Sequence, residues 1–118
     1  MAITGVHLLF FSPEADALRA TLRDAFGWSH VDAGGGWLIF ATPPGELGVH
    51  PADKPAHDIS LTCDDVDATV AELRSRGVEF KGEPEARAFG RAITAVLPGG
   101  VEVLIYQPTH PTATGGAG

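Results

Sequence analysis

The chain has 118 residues, 44% of them hydrophobic and 19% charged, and its 15 acidic against 8 basic residues give a net charge of −7, the size and balance of one soluble globular domain. The acidic residues are scattered and no basic cluster is available to neutralise phosphates, which argues against a nucleic-acid partner. No apolar run could span a bilayer, residues 1–10 lack the order of a signal peptide, and the single cysteine, Cys63, precludes an internal disulfide, so a cytoplasmic location with no membrane partner is expected.

Residues 3–12 alternate apolar and polar and predict an opening strand. Ser12-Pro13-Glu14 marks a helix start: a hydroxyl at the cap, a proline where no amide hydrogen is needed, and an acid at the positive end of the dipole. Ala15, Leu18, Leu22 and Ala25 then share one helical face, Gly27 supplies the stop, and Trp28 is expected to close the helix against a sheet. The turn Gly34-Gly35-Gly36 leads into a strand from Trp37 to Ala41, and Pro43-Pro44-Gly45 leads into another over residues 46–50. Trp37 and Phe40 are expected to be core or dimer contacts. Residues 52–57 form a linker.

The same order then returns. Residues 58–63 alternate, with Cys63 on the apolar parity and therefore a core residue. Asp64-Asp65 opens a helix that buries Val66, Val70 and Leu73 and ends at Gly77. Strands are predicted over 78–81 and 91–97, followed by the Pro98-Gly99-Gly100 turn and a closing strand over 101–106. Between them lies the segment from Glu85 to Arg91, a lid or a connector. From His110 onward the Pro, Thr, Ala and Gly composition predicts a disordered tail, residues 110–118. The expected organisation is one domain, 1–109, made of a first module (3–51) and a second (58–108). A unit this short cannot bury both faces of its own sheet, so the two are expected to join and enclose a site.

The pieces Val6-His7, His57-Asp58-Ile-Ser-Leu-Thr-Cys-Asp-Asp65, Gly77-Val-Glu-Phe80 and Leu97-Pro-Gly-Gly-Val-Glu-Val-Leu-Ile-Tyr106, in this order and spacing, resemble the vicinal oxygen chelate superfamily, which includes glyoxalase I, bleomycin resistance proteins, fosfomycin resistance enzymes and ring-cleaving dioxygenases. The resemblance implies an α+β fold in which two βαβββ modules in tandem form a cupped mixed sheet, with helices on its outer side and a divalent metal in the cup. It also implies four ligand positions. His7 matches the first and Asp58 aligns with the second, while the two carboxylate positions fall on Leu104 and Gly48, whose side chains cannot bind a metal.

Strand alternation sorts the remaining candidates. Asp58, Ser60 and Thr62 share the inward parity, as do Glu102, Leu104 and Tyr106, whereas Ile59, Leu61, Val101, Val103 and Ile105 face the core. The same parity in the first module turns His7, Leu9 and Phe11, and Glu46, Gly48 and His50, inward. The first reading is a protein holding a small, mostly apolar organic molecule between His7, Phe11, His50, Asp58, Thr62, Leu104 and Tyr106, with an incomplete metal site. The alternative is a metal-dependent lyase, isomerase or dioxygenase whose metal sits on a shifted set, His7 and Asp58 with His50 or Glu102; Glu102 is then the proton acceptor and Tyr106 completes the catalytic group. A third reading is a dimerising accessory module without ligand. Blander roles stand beside these: His7 in a polar pocket, Asp58 as a local cap, Glu102 in an ion pair with Arg87 or Arg91. The cofactor is open, with a divalent metal the less favoured choice, and the resemblance implies a homodimer.

Overall fold

The computed structural model describes residues 7–113. Asp65 illustrates how local chemistry sets its elements: the residue is extended, and its carboxylate accepts the Ala68 amide at 3.1 Å, occupying one of the donors a helix start leaves free. The helix that follows, α2 (Val66–Ser75), buries Val66, Val70 and Leu73, the face its spacing predicts. The earlier helix, α1 (Ala15–Asp24), buries Leu18 and Leu22 and ends ahead of Gly27, whose φ of 72° is costly for any residue with a Cβ.

Among the described residues six strands complete the architecture, an α+β fold. β1 (His30–Asp32) and β2 (Leu38–Phe40) form an antiparallel pair. β3 (Ser60–Thr62), β4 (Glu79–Arg87), β5 (Gly90–Leu97) and β6 (Val101–Pro108) form a mixed sheet in the order β3-β6-β5-β4. β3 runs parallel to β6, with Ser60 opposite Leu104 and Thr62 opposite Tyr106, while β5 is antiparallel to both its neighbours. The second half of the chain thus has the strand–helix–three-strand order its sequence predicts.

One core holds these pieces together. Leu18, Leu22 and Ala25 of the α1 segment and Val66, Val70 and Leu73 of α2 meet Ile93, Ala95 and Leu97 of β5 and Val103 and Ile105 of β6. Phe40, Trp28, Ile59, Leu61 and Cys63 pack around the edge of this cluster, so Trp28 sits where its sequence position suggests and Trp37 stays largely exposed. Two polar ties supplement this core, one from the start of α1 to the β5–β6 turn and one between the ends of the two helices. The Ser12 hydroxyl donates to the Pro98 carbonyl at 2.8 Å and accepts the Glu14 amide at 3.0 Å, and Arg76 donates to the Ala25 carbonyl at 2.8 Å. Gly99, with φ 89°, passes so close to Ser12 that a Cβ there would lie 2.0 Å from its hydroxyl oxygen.

Several expected elements differ. Residues 7–12 and 46–50 are not in strands, and Leu47 and Val49 are 94% and 95% exposed; alternation favours a strand only where another strand offers a ladder. Residues 3–6 of the expected opening strand lie outside the described residues. β1 was not anticipated, because all three of its residues are exposed and leave no hydrophobic signature. β4 is longer than expected and turns into β5 at Ala88-Phe89, so the segment from Glu85 to Arg91 is a hairpin and not a loop laid over the site.

Leu97 is 2% exposed at the centre of the core. Leu97→Ala is expected to lower unfolding free energy by about 2–5 kcal/mol, against about 1 kcal/mol for Asp65→Ala at the α2 cap. Urea unfolding followed by circular dichroism checks the order, and a smaller loss for Leu97 than for Asp65 would contradict this core.

Candidate functional site

Because one face of the four-stranded sheet is occupied by the core, the alternate side chains of the same strands must point to the other. Register places them in rows: Ser60, Leu104, Thr94 and Lys81 in one, Thr62, Tyr106, Ala92 and Glu85 in the next, with Glu102 beside Val96 on the far side of the first. Asp58, Ile59, Ser60, Thr94, Glu102 and Leu104 line a concavity of about 310 Å³ on this face, near the lower bound for small-molecule sites.

Its electrostatics are set by a cross-strand pair. Lys81 Nζ contacts the Glu102 carboxylate, reaching from β4 to β6 across β5. Glu102 was expected to meet Arg87 or Arg91; instead Arg91 makes two bonds to Asp67 of α2, at 2.9 and 3.0 Å. That bidentate contact holds the Asp67 carboxyl below its ordinary value and raises the Arg91 guanidinium. Both groups of the Lys81–Glu102 pair are half exposed, so it contributes little to stability, but it neutralises a carboxylate that a metal or a proton-transfer role would require. Lys81 could not be found from the sequence, since its meeting with Glu102 depends on pairing through β5.

The structure brings five of the sequence candidates together on this face: Asp58, Glu102 and Leu104 at the concavity, with Thr62 and Tyr106 one row along. His7, Phe11 and His50 are not among the residues lining it. Phe11 is 85% exposed, and the His50 ring bonds through Nδ1 to the Pro51 carbonyl at 2.7 Å. Among the described residues no three His, Cys, Asp or Glu side chains converge as a metal site requires. Of the two carboxylates at the concavity, Asp58 and Glu102, the second is already paired with Lys81.

Beyond the concavity the face continues to Tyr106. Phe89 meets its ring edge-on, centroids 5.0 Å apart at 90°, and the Tyr106 hydroxyl lies 3.1 Å from His110 Nε2. His110, the first residue of the expected tail, contacts the sheet through Tyr106. The Thr109 amide donates to the Phe89 carbonyl at 3.0 Å, which fastens the chain past β6 and turns His110 back onto the sheet. Residues 114–118 of the expected tail lie outside the described residues.

The model of the Glyoxalase/Bleomycin resistance protein/Dioxygenase superfamily matches residues 5–109, and the chain belongs to this superfamily. Among solved structures it is similar to TnmS3, an antibiotic binding protein from Streptomyces sp. CB03234, with 27% identity, a TM-score of 0.66 and coverage of 92% of this chain and 99% of that one. It is similar to a member of the same superfamily from Sphaerobacter thermophilus DSM 20745, with 24% identity, a TM-score of 0.62 and coverage of 89% and 98%. The fosfomycin resistance protein FosX from Listeria monocytogenes shares the fold at 16% identity, with a TM-score of 0.58 and coverage of 92% and 94%. No curated protein matches the chain.

Cys63 packs against the core and directs its thiol to the Tyr106 carbonyl at 3.7 Å. Burial pushes this thiol above the usual value. The folded state therefore keeps the proton where the unfolded chain has begun to lose it, so the stabilisation is complete below the unfolded thiol value of about pH 8.5 and is lost as pH rises from there through the raised folded value. Iodoacetamide at pH 8 is expected to alkylate the native protein about tenfold more slowly than the urea-unfolded chain; equal rates, read by mass spectrometry, would contradict the shielding of this half-buried thiol.

Proposed function

We propose that this protein binds a small, mostly apolar organic compound carrying hydrogen-bonding groups, an antibiotic-like molecule, on the open face of its four-stranded sheet. The observation that carries the reading is the concavity itself. Asp58, Ser60, Thr94 and Glu102 offer polar groups beside the apolar side chain of Leu104, the mixture that orients such a ligand without reacting with it. Similarity at 27% identity to an antibiotic binding protein supports it. Binding alone, by sequestration in the cytoplasm, requires neither a metal nor a free base.

The full cup is completed in a homodimer. The large apolar side chains left exposed include Leu8, Leu9, Phe11, Leu47 and Val49, a surface that monomers rarely keep, and they lie on segments without strand partners inside the chain. Pairing between two copies supplies those partners and brings His7, Phe11 and His50 to the rim of the ligand site.

A thermal-shift screen of aromatic antibiotics followed by calorimetry tests the site. Thr94→Trp fills the floor of the concavity and is expected to weaken a hit about tenfold or more, equivalent to about 1.4 kcal/mol, with the melting temperature of the free protein kept. If no compound raises the melting temperature, or Thr94→Trp leaves affinity unchanged, the site is elsewhere; if affinity appears only with added manganese, nickel or zinc, the metal-assisted alternative replaces this reading.

Sedimentation velocity is expected to show a dimer for the wild type and a monomer for Leu47→Lys/Val49→Lys, since two charges cannot be buried unpaired at such an interface. A wild-type monomer at all concentrations would remove the dimer from the proposal.

A further inference from the structure

Tyr106 and His110 form a hydrogen-bonded pair whose polarity can be assigned from its partners. His110 Nδ1 lies 2.8 Å from the Pro111 carbonyl oxygen, which only accepts, so in the neutral ring Nδ1 carries the proton and Nε2 holds a lone pair. The Tyr106 hydroxyl, 3.1 Å away, is then the donor to Nε2. With its proton committed, the phenol oxygen presents its remaining lone pairs as an acceptor, strengthened by the bond it donates.

The surroundings hold this arrangement. Phe89 covers the phenol ring on one side, the Thr109–Phe89 bond fixes the approach of His110, and Tyr106 shares its face with Thr62 and Ala92, one row from the concavity. The charged groups on this side are Glu85 and Arg87 of β4, in line with Ala92 and Gly90, Asp64 beyond β3, and Glu46, whose carboxylate accepts the Ala113 amide.

We propose that Tyr106 and His110 together take up an acidic hydroxyl of the ligand, that of a phenol or an enol. The ligand O–H donates to Tyr106 Oη, which donates in turn to His110 Nε2. When the ligand is acidic enough, both protons move one place: the ligand O–H bond breaks as a new one forms on Tyr106, whose original proton passes to Nε2. The products are a ligand oxyanion bonded to the Tyr106 hydroxyl and a His110 imidazolium. This rests on the reading of the open face as the ligand site, and it adds the chemical class that the site selects.

The probes are para-nitrophenol, whose anion is coloured, and its methyl ether para-nitroanisole, which has no proton to give. Wild-type protein is expected to bind the phenol more tightly than the ether and to lower the pH at which the bound phenol ionises by about one unit, as a nearby cation does. Tyr106→Phe is expected to abolish both effects. His110→Gln keeps an acceptor for the Tyr106 hydroxyl but cannot take its proton, so the ionisation shift is lost there even if the phenol still binds. His110 is exposed, and circular dichroism verifies the fold of each variant. A shift that persists in His110→Gln, or equal binding of phenol and ether by the wild type, overturns the pair and leaves the ligand site standing. Binding of neither probe, together with no hit among the antibiotics, overturns both.

Discussion

β6 is held along both edges, parallel by β3 and antiparallel by β5, and the candidate site depends on that double restraint. With Val103 and Ile105 in the core beneath the two helices, Glu102, Leu104 and Tyr106 have no choice but the opposite face. A slip of one residue would drive a carboxylate and a phenol into the core and expel two aliphatic side chains, each worth about 1.5–3 kcal/mol when buried. The same packing that stabilises the domain therefore fixes the direction in which its candidate site residues point.

The open face has two ends of different character. At one, Glu102 is paired with Lys81 in a concavity that also holds the Asp58 carboxylate and the Ser60 and Thr94 hydroxyls. At the other, an aromatic pair carries a histidine that can accept a proton. The proposed ligand, largely apolar with one acidic hydroxyl, would have to meet both ends at once, and this joint requirement is more selective than either part. Nothing in the arrangement needs a reaction to follow binding.

Legibility in the sequence followed burial. Asp65, Val66, Val70 and Leu73 announce α2 because cap and periodic face are both encoded locally, and the alternation of residues 101–106 announces its two faces because only one of them is apolar. Residues 46–50 alternate equally well, yet a strand is a property of two segments and their partner is not in the local pattern. The Lys81–Glu102 meeting depends on register across β5, including the irregularity between Lys81 and Glu85, which residue types alone do not specify. The Tyr106–His110 contact is hidden for a different reason: the Pro, Thr, Ala and Gly composition from His110 onward carries no periodic pattern, whereas the Thr109–Phe89 hydrogen bond beside it is a long-range contact.

β3 has only three residues, lies at the sheet edge, and meets a strand whose facing residues are far along the chain, as the Cys63–Tyr106 contact across 43 positions shows. The β4–β5–β6 meander closes through short turns, but β3 must wait for the whole intervening segment to be in place, because loop closure is entropically costly before long-range pairing offsets it. β3 is thus the last strand to join and the first to leave, and its amides belong to the least protected cooperative unit of the sheet. Since Asp58, Ile59 and Ser60 line the concavity, an occupant would clamp the very strand whose departure begins unfolding, making ligand retention and resistance to proteolysis two measures of the same opening event.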